Sequence, residues 1–359
     1  MLPSPATAVE GRPTAAENKT WNLAIWAFAF GYFACYVPYS SMTKALSAGL
    51  LSGMHGGING FELLPVTAMA SLVGMFVFIS AMRWWKFAGH RDLFGLSVPC
   101  PNVWTFLSGI CTAAIIATTT LAYTFSGVSI VFMMLLMKGG VLVIAPIVDF
   151  FARRKVRWFS WVALALSLGA LLVAFFGGSK SSLALTLIAG LDVVFYLLGY
   201  FVRLRFMSRL AKSDDHDATK RYFVEEQMTA TPVVVTTLIV LALINDGHLM
   251  HEVRLGFTAL PGSGHLMAAI AIGLFSQGTG VFGGLILLDR RENSFCVPVN
   301  RASSILAGVV ASFSLAAFLP YHAPGPVDLV GAALVLAAIL VLSLPGVLTK
   351  RRGQAQPAE

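Results

Sequence analysis

Ten apolar runs, each close to the length of a bilayer-spanning helix, occupy most of this 359-residue chain. Five fall at Trp21–Ala45, Glu62–Met82, Val103–Thr124, Val128–Phe150 and Trp158–Phe176. Five more fall at Leu183–Phe206, Phe223–Asn245, His265–Leu288, Phe295–Leu319 and Val327–Leu348. A run of roughly 20 apolar residues crosses the hydrocarbon core as a helix. Lipid offers backbone N–H and C=O groups no partner, so such a run must bond within itself. The runs are continuous rather than alternating, which argues against an outer-membrane barrel. Only 12% of the residues are charged, against about 25% in a soluble domain. A soluble globular protein and a disordered chain are both excluded. The expected fold is an all-α integral membrane protein with ten transmembrane helices.

The formal net charge of +8 is explained by where the cations sit. They occur in the N-terminal stretch (Arg12, Lys19) and the loop after span two (Arg83, Lys86, Arg91). The loop after span four carries Arg153, Arg154, Lys155 and Arg157. The loop after span six carries Arg203, Arg205, Arg209, Lys212, Lys220 and Arg221. Arg290 and Arg291 follow span eight, and Lys350, Arg351 and Arg352 lie in the C-terminal tail. These are 20 of the 25 Lys and Arg residues, all on one side of the predicted topology, while only Lys180 and Arg254 lie clearly in the opposite loops. The positive-inside rule then places both termini in the cytoplasm. Basicity is an orientation signal, and no motif points to nucleic acid. The first 20 residues lack the basic and apolar regions of a signal peptide, so the first span is expected to be retained. A bacterial inner membrane is the expected location, with an organelle membrane left open.

The stretch Gly177-Gly-Ser-Lys-Ser-Ser182 divides the chain after span five. The expected organisation is a tail over 1–20, a five-helix unit over 21–176, a linker over 177–182, a second five-helix unit over 183–348 and a tail over 349–359. An odd number of spans per unit gives the two units opposite orientation, the inverted-repeat design of many transporters. Several positions support a repeat. Phe61-Glu-Leu-Leu-Pro65-Val-Thr67 opens span two, and Phe223-Val-Glu-Glu-Gln-Met-Thr-Ala-Thr-Pro232 opens span seven. Span four carries Lys138 before Gly139 and Gly140, and span nine carries Arg301 before Ala302 and Ser303. Spans five and ten are plain Leu/Ala/Val helices, suited to face lipid or a second copy of the chain.

Three charges lie at membrane depth. Lys138 is about ten residues into span four, roughly 15 Å at 1.5 Å per residue. Asp192 lies at similar depth in span six, and Arg301 about six residues into span nine. Each charge facing lipid would cost roughly 2.5–3.5 kcal/mol, together on the order of 8–10 kcal/mol. That rivals the typical stability of a whole domain, about 5–15 kcal/mol. These residues must therefore face a wet cavity or pair with one another, Lys138 with Asp192 being one such pair. A central cavity whose cations meet an anionic substrate is the functional alternative. Lys44 and Glu62 lie near the outer ends of spans one and two, where they can snorkel.

Other features are weaker. His248-Leu-Met-His251-Glu252 falls in an outer loop without metal-ligand spacing. Gly280-Val-Phe-Gly-Gly284 permits close helix packing and, with Gln277, offers a candidate gate. Tyr32, Tyr36 and Tyr39 recur at helical spacing. Cys35, Cys100, Cys111 and Cys296 are too scattered for a metal site or a disulfide framework. There is no P-loop and no hydrolase triad. No cofactor, no metal and no enzymatic activity are expected.

The segment Leu121-Ala-Tyr-Thr-Phe-Ser-Gly-Val-Ser-Ile130, the span after it, Arg153-Arg-Lys and Trp161–Phe175 together resemble the closing part of a repeat in the drug/metabolite transporter superfamily. Val330-Gly-Ala-Ala-Leu-Val-Leu-Ala-Ala-Ile339 resembles its counterpart in the second unit. Val297-Pro-Val-Asn300-Arg301, with Ala307-Gly308 beyond it, is similar to the Asn-Lys motif of the nucleotide-sugar and sugar-phosphate branch. Arg here replaces Lys; it binds phosphate bidentately, so the swap keeps the phosphate-binding chemistry. Where that branch carries amides in span seven, this chain has Glu225 and Glu226 before Gln227. Lys138 resembles the basic residue of phosphate-translocating members. The resemblance implies a ten-helix carrier with a central site that two rocking repeats expose in turn, and peripheral spans five and ten as a homodimer surface.

The leading expectation is a secondary transporter of an anionic organic metabolite such as a nucleotide sugar or sugar phosphate. Lys138 and Arg301 would neutralise it, with Asn300, Gln277, Asp192 and Tyr36 completing the substrate site. The alternative is a proton-coupled exporter of small metabolites, amino acids or cationic drugs. In either case Glu62, Asp192, Glu225 and Glu226 are the candidate coupling or gating acids. The implied partners are a small molecule and the lipid bilayer.

Overall fold

A computed structural model describes residues 15–54, 56–93, 95–125, 129–142, 158–177, 183–211, 217–289 and 293–354. Eleven helices are described: α1 (Ala15–Ser47), α2 (Gly60–Ala81), α3 (Val103–Ala122), α4 (Ile130–Leu142), α5 (Trp158–Gly177), α6 (Leu183–Leu210), α7 (Ala218–Ile244), α8 (Gly247–Thr258), α9 (Leu266–Leu288), α10 (Asn293–Phe318) and α11 (Pro326–Gln354). A helix lies on every one of the ten expected apolar runs. Six helical stretches are long and apolar enough to cross a membrane: Gly60–Ala81, Val103–Ala122, Leu187–Met207, Ala218–Ile244, Leu266–Leu288 and Cys296–Phe318. The architecture is that of a multi-pass helical membrane protein.

Local sequence explains the helix ends. Asn59, Asn102 and Ser129 adopt extended backbone and accept from the amides of Phe61, Trp104 and Phe132, capping α2, α3 and α4. Asn245, at φ 49°, ends α7 in the left-handed conformation that amide side chains tolerate.

Three details differ from the sequence reading. The loop after α2 folds into a hairpin of β1 (His90–Leu93) and β2 (Leu96–Pro99), paired antiparallel from His90–Pro99 to Leu93–Leu96. The outer loop carrying His248 and Glu252 is the amphipathic helix α8, with the two side chains 3.5 Å apart. Helix α1 begins at Ala15, inside the expected N-terminal tail, and α11 runs to Gln354, inside the expected C-terminal one. The linker residues 178–182, the basic cluster Arg153–Arg157, and Lys180, Lys212, Arg290 and Arg291 lie outside the described residues.

Helix packing is selective. Helix α1 packs on α9 and α10, α3 on α6 and α7, α9 on α2, and α5 on α11. The crossings use small residues, because without a hydrophobic gain between helices in lipid, close backbone approach must supply the contact. A Cβ at Gly273 of α9 would strike the Thr67 carbonyl oxygen of α2 and lie 2.6 Å from the Ala70 Cβ. Beside it Ser71 Oγ donates to the Gly273 carbonyl at 2.7 Å. At Gly109 of α3 a Cβ would lie 2.7 Å from the Thr229 methyl of α7. Gly273→Val is expected to destabilise the protein by about 1–3 kcal/mol through overpacking. Thermal unfolding in detergent checks this, with Gly169→Ala, whose methyl would point into open space on α5, expected to leave the transition where it is or raise it slightly.

Candidate functional site

Helix α6 turns a polar stripe inward. Asp192, Tyr196, Tyr200 and Arg203 follow one another at four, four and three residues, which sets them on one face. All four are buried, while Leu187, Ile188, Leu191, Val194, Phe195 and Leu198 on the other face are exposed. The helix is thus apolar outward and polar inward, as a lipid-facing helix around a wet centre should be.

Lys138 reaches this stripe from α4. It lies in a π-helical turn, Leu135–Gly139, that widens the helix at this level. A Cβ at the adjacent Gly140 would lie 3.0 Å from Leu197, so glycine there lets α4 close on α6. Lys138 Nζ donates to the Tyr196 hydroxyl at 2.7 Å. It also lies over the rings of Tyr196, Tyr36 and Tyr200, at 5.1, 5.4 and 5.9 Å from their centroids. Arg301 arrives from α10 on the other side. Its Nη1 donates to the same Tyr196 hydroxyl at 3.3 Å, and its Cζ lies 4.3 Å from the Tyr200 centroid. Both cations are 2% exposed or less. Among the described residues neither has a carboxylate within ion-pair reach, and Arg301 Nε and Nη2 have no hydrogen-bond partner. The ring faces attract the cations, each contact contributing roughly 0.5–2 kcal/mol, which offsets part of the burial cost. No carboxylate among the described residues pairs with either charge.

A cavity of about 70 Å³ opens beside this cluster. Tyr32, Tyr36, Tyr39, Lys138, Tyr200, Gln227, Gln277 and Asn300 are among the residues lining it. The Tyr36 hydroxyl bonds Tyr123 at 2.8 Å, and Tyr39 bonds Thr120 at 2.9 Å. Gln277 Nε2 donates to Gln227 Oε1 at 3.2 Å, joining α9 to α7. Asn300 Nδ2 donates to the Gly283 carbonyl at 3.2 Å, which leaves its buried Oδ1 without a partner among the described residues. Of the expected substrate residues, Lys138, Asn300, Gln277 and Tyr36 therefore line one cavity, with Arg301 directly behind Tyr200. Asp192 sits one turn before Tyr196, buried, its Oδ2 without a described partner.

The remaining acids have different surroundings. Glu226 is completely buried and receives Arg203 in a bidentate pair, Nε to Oε1 and Nη2 to Oε2, both at 2.8 Å. Ser108, Thr112 and Tyr222 also donate to its Oε1, at 2.9, 3.0 and 3.1 Å. Arg203, assigned above to a cytoplasmic loop, is instead a buried residue of α6 tying α6, α7 and α3 together. Glu225 points the other way. It accepts from the backbone amides of Gly89 and Asn102 at 2.9 and 3.1 Å, and from the Thr105 hydroxyl at 2.7 Å. It therefore caps α3 from a neighbouring helix, satisfying the N-cap amide as the acid of a capping box does, and pins the hairpin to α7. Glu225→Ala is expected to cost about 1–3 kcal/mol by leaving these donors unpaired. Hydrogen exchange should show faster exchange at the Gly89 and Asn102 amides, with the α9 amides unchanged. Glu62 lies in the first turn of α2, where Gly256 of α8 packs on its carbonyl, away from the cavity.

Tyr196, Tyr200, Gln227 and Arg203 were not singled out from sequence. The available signal was the spacing of Asp192, Tyr196, Tyr200 and Arg203, visible once Asp192 is taken to face inward.

No protein-family model matches this chain, and no curated protein matches it. A solved structure described only as "Crystal structure of protein" is similar, with a TM-score of 0.50 and 13% identity over 90% of this chain and 97% of that one. At that identity the likeness concerns the fold alone.

Proposed function

We propose that this protein is a secondary transporter of an anionic organic metabolite, of the drug/metabolite transporter kind, working by alternating access. The observation that carries this reading is the contrast among three of the buried cations, those around Tyr196 and Tyr200. Arg203 has Glu226, whereas Lys138 and Arg301 converge on one neutral tyrosine hydroxyl with no described counter-charge. A protein that buries two cations without a described carboxylate partner has a use for them, and a phosphorylated or nucleotide-linked substrate supplies a negative charge to meet them. The cavity of about 70 Å³ is far below the 300–1,000 Å³ of typical small-molecule pockets, so such a substrate enters only as parts of the bundle move.

An inverted repeat provides that movement, and residue positions support it. Tyr32 and Tyr196, Tyr36 and Tyr200, Lys138 and Arg301, Thr67 and Thr229, and Gly109 and Gly273 are pairs separated by 162–164 residues. Their contacts correspond as well. Tyr36 faces Lys138 and Tyr200 faces Arg301, while Thr67 meets Gly273 and Thr229 meets Gly109. Helix pairing follows the same exchange: α1 on α9 matches α6 on α3, and α2 on α9 matches α7 on α3. The ten spans would thus be two five-helix units with the cation cluster on their approximate two-fold axis. The proposed cytoplasmic placement of both termini follows the charge asymmetry of the loops; the membrane we propose is a bacterial inner membrane, with an organelle membrane as the alternative.

The test is a thermal-shift screen of the purified protein against nucleotide sugars, sugar phosphates and amino acids, repeated with Lys138→Ala. Stabilisation by phosphorylated compounds that vanishes in the variant is expected. Stabilisation by amino acids alone, insensitive to Lys138, would overturn the proposal.

One observation favours the second reading, proton coupling. Asp192 is a buried carboxyl with an unpartnered oxygen, one turn from the cluster. If it carries the coupled proton, Asp192→Asn will abolish the acceleration of uptake by a pH gradient while leaving exchange at equal pH intact. Undiminished gradient-driven uptake by the variant would exclude it.

A further inference from the structure

We infer that the Tyr196 hydroxyl occupies the seat of a substrate oxygen and is the resident acceptor that an anion displaces on binding. The inference rests on the proposed reading of the cluster as an anion site. Two cations from different helices, Lys138 at 2.7 Å and Arg301 at 3.3 Å, both donate to this one oxygen. A phenol oxygen that accepts from an ammonium and a guanidinium at once fills the role normally taken by a carboxylate or phosphate oxygen. Around it the site keeps donor capacity in hand, because Arg301 Nε and Nη2 have no described partner. A tyrosine offers one oxygen where a phosphate monoester or dicarboxylate offers several, so only the anion can take all of these donors.

The surroundings explain why a tyrosine holds this place. The Tyr196 ring packs tilted on Tyr200, with centroids 4.8 Å apart and planes at 50°, and the Arg301 guanidinium lies 4.3 Å from the Tyr200 centroid. Lys138 lies over both rings as well as Tyr36. This aromatic cage steadies the cations when no substrate is bound, and the hydroxyl supplies the one hydrogen bond that rings cannot. The cost is competition: substrate must break the Lys138–Tyr196 and Arg301–Tyr196 hydrogen bonds before it can form its own. Tyr196 thereby sets a threshold, so that anions able to engage both cations displace it and weaker ligands do not.

Tyr196→Phe keeps the ring, its packing on Tyr200 and the cage and removes only the competing oxygen. Thermal shift of the purified full-length protein, titrated with inorganic phosphate and in parallel with succinate, reads the outcome. Half-saturation in Tyr196→Phe is expected at about tenfold lower anion concentration than in the wild type, the equivalent of one hydrogen bond to a charged group. The gain should disappear in the Lys138→Ala background, and Tyr321→Phe, which removes a hydroxyl outside the cluster, should bind like the wild type. Unchanged or weaker binding by Tyr196→Phe, in a protein whose wild type responds to either anion through Lys138, overturns the inference and leaves the anion site standing. Absence of any response to both anions, in wild type and variant alike, overturns the anion site as well.

Discussion

Glu226→Ala will destabilise the protein by about 3–5 kcal/mol, the cost of stranding a buried guanidinium once its partner is removed. Arg203 is 5% exposed and Glu226 0%, so the stranded charge cannot relax into water. Ser108, Thr112 and Tyr222 lose their shared acceptor at the same time. The double variant Arg203→Met, Glu226→Leu removes both charges, keeps the volume, and should recover much of that loss, because the Coulomb gain of a buried pair is largely consumed by desolvation; what remains is the cost of the hydroxyls left without their acceptor. A double-mutant cycle by equilibrium unfolding in detergent separates the possibilities. If the two single losses add, the pair is not a unit and its role here is wrong. Strong non-additivity, with Glu226→Gln falling between wild type and alanine, is the expected pattern. Being buried, the pair should also be far less sensitive to salt than a surface bridge.

That network shows what the sequence could and could not reveal. The helices were legible because lipid imposes one solution on each apolar run. Lys138, Asp192 and Arg301 were legible as central residues because a charge amid apolar neighbours is expensive wherever it points. Arg203 was not, since it lies near the end of an apolar run, seven residues after Tyr196 and two before Arg205, and from sequence looks like one more loop cation. Its inward orientation depends on the rotation of α6, which is fixed by the small-residue contacts of α3 and α4 with that helix. The two adjacent acids of α7 were equally ambiguous. Consecutive residues on a helix face directions about 100° apart, so Glu225 turns to the hairpin amides and Glu226 to Arg203. The tyrosines were the least legible, because an aromatic residue in a membrane helix carries no penalty that marks it as functional.

Lys138→Met and Arg301→Met will move stability and binding in opposite directions. Each substitution removes a buried charge that no described carboxylate compensates, so the protein without bound anion should gain stability, by up to the roughly 2.5–3.5 kcal/mol that a charge costs at membrane depth. The same substitution deletes a charge-assisted contact to the substrate, worth about 2–5 kcal/mol where both partners are desolvated. Anion affinity should therefore fall at least about 30-fold, at 1.4 kcal/mol per factor of ten. Thermal denaturation without ligand reads the first effect. Binding of inorganic phosphate, and uptake into proteoliposomes of the compound the screen returns, read the second. A structural role makes the contrary prediction: if the two cations exist to hold α4, α6 and α10 together through Tyr196, either methionine variant loses stability as well as binding. Arg301→Lys sharpens the contrast further. It keeps the charge but gives up the planar fork, so it should leave unliganded stability near the wild-type value while weakening phosphate binding about tenfold, since lysine cannot offer the unpartnered Nε and Nη2 alongside the Nη1 that the anion takes over from Tyr196.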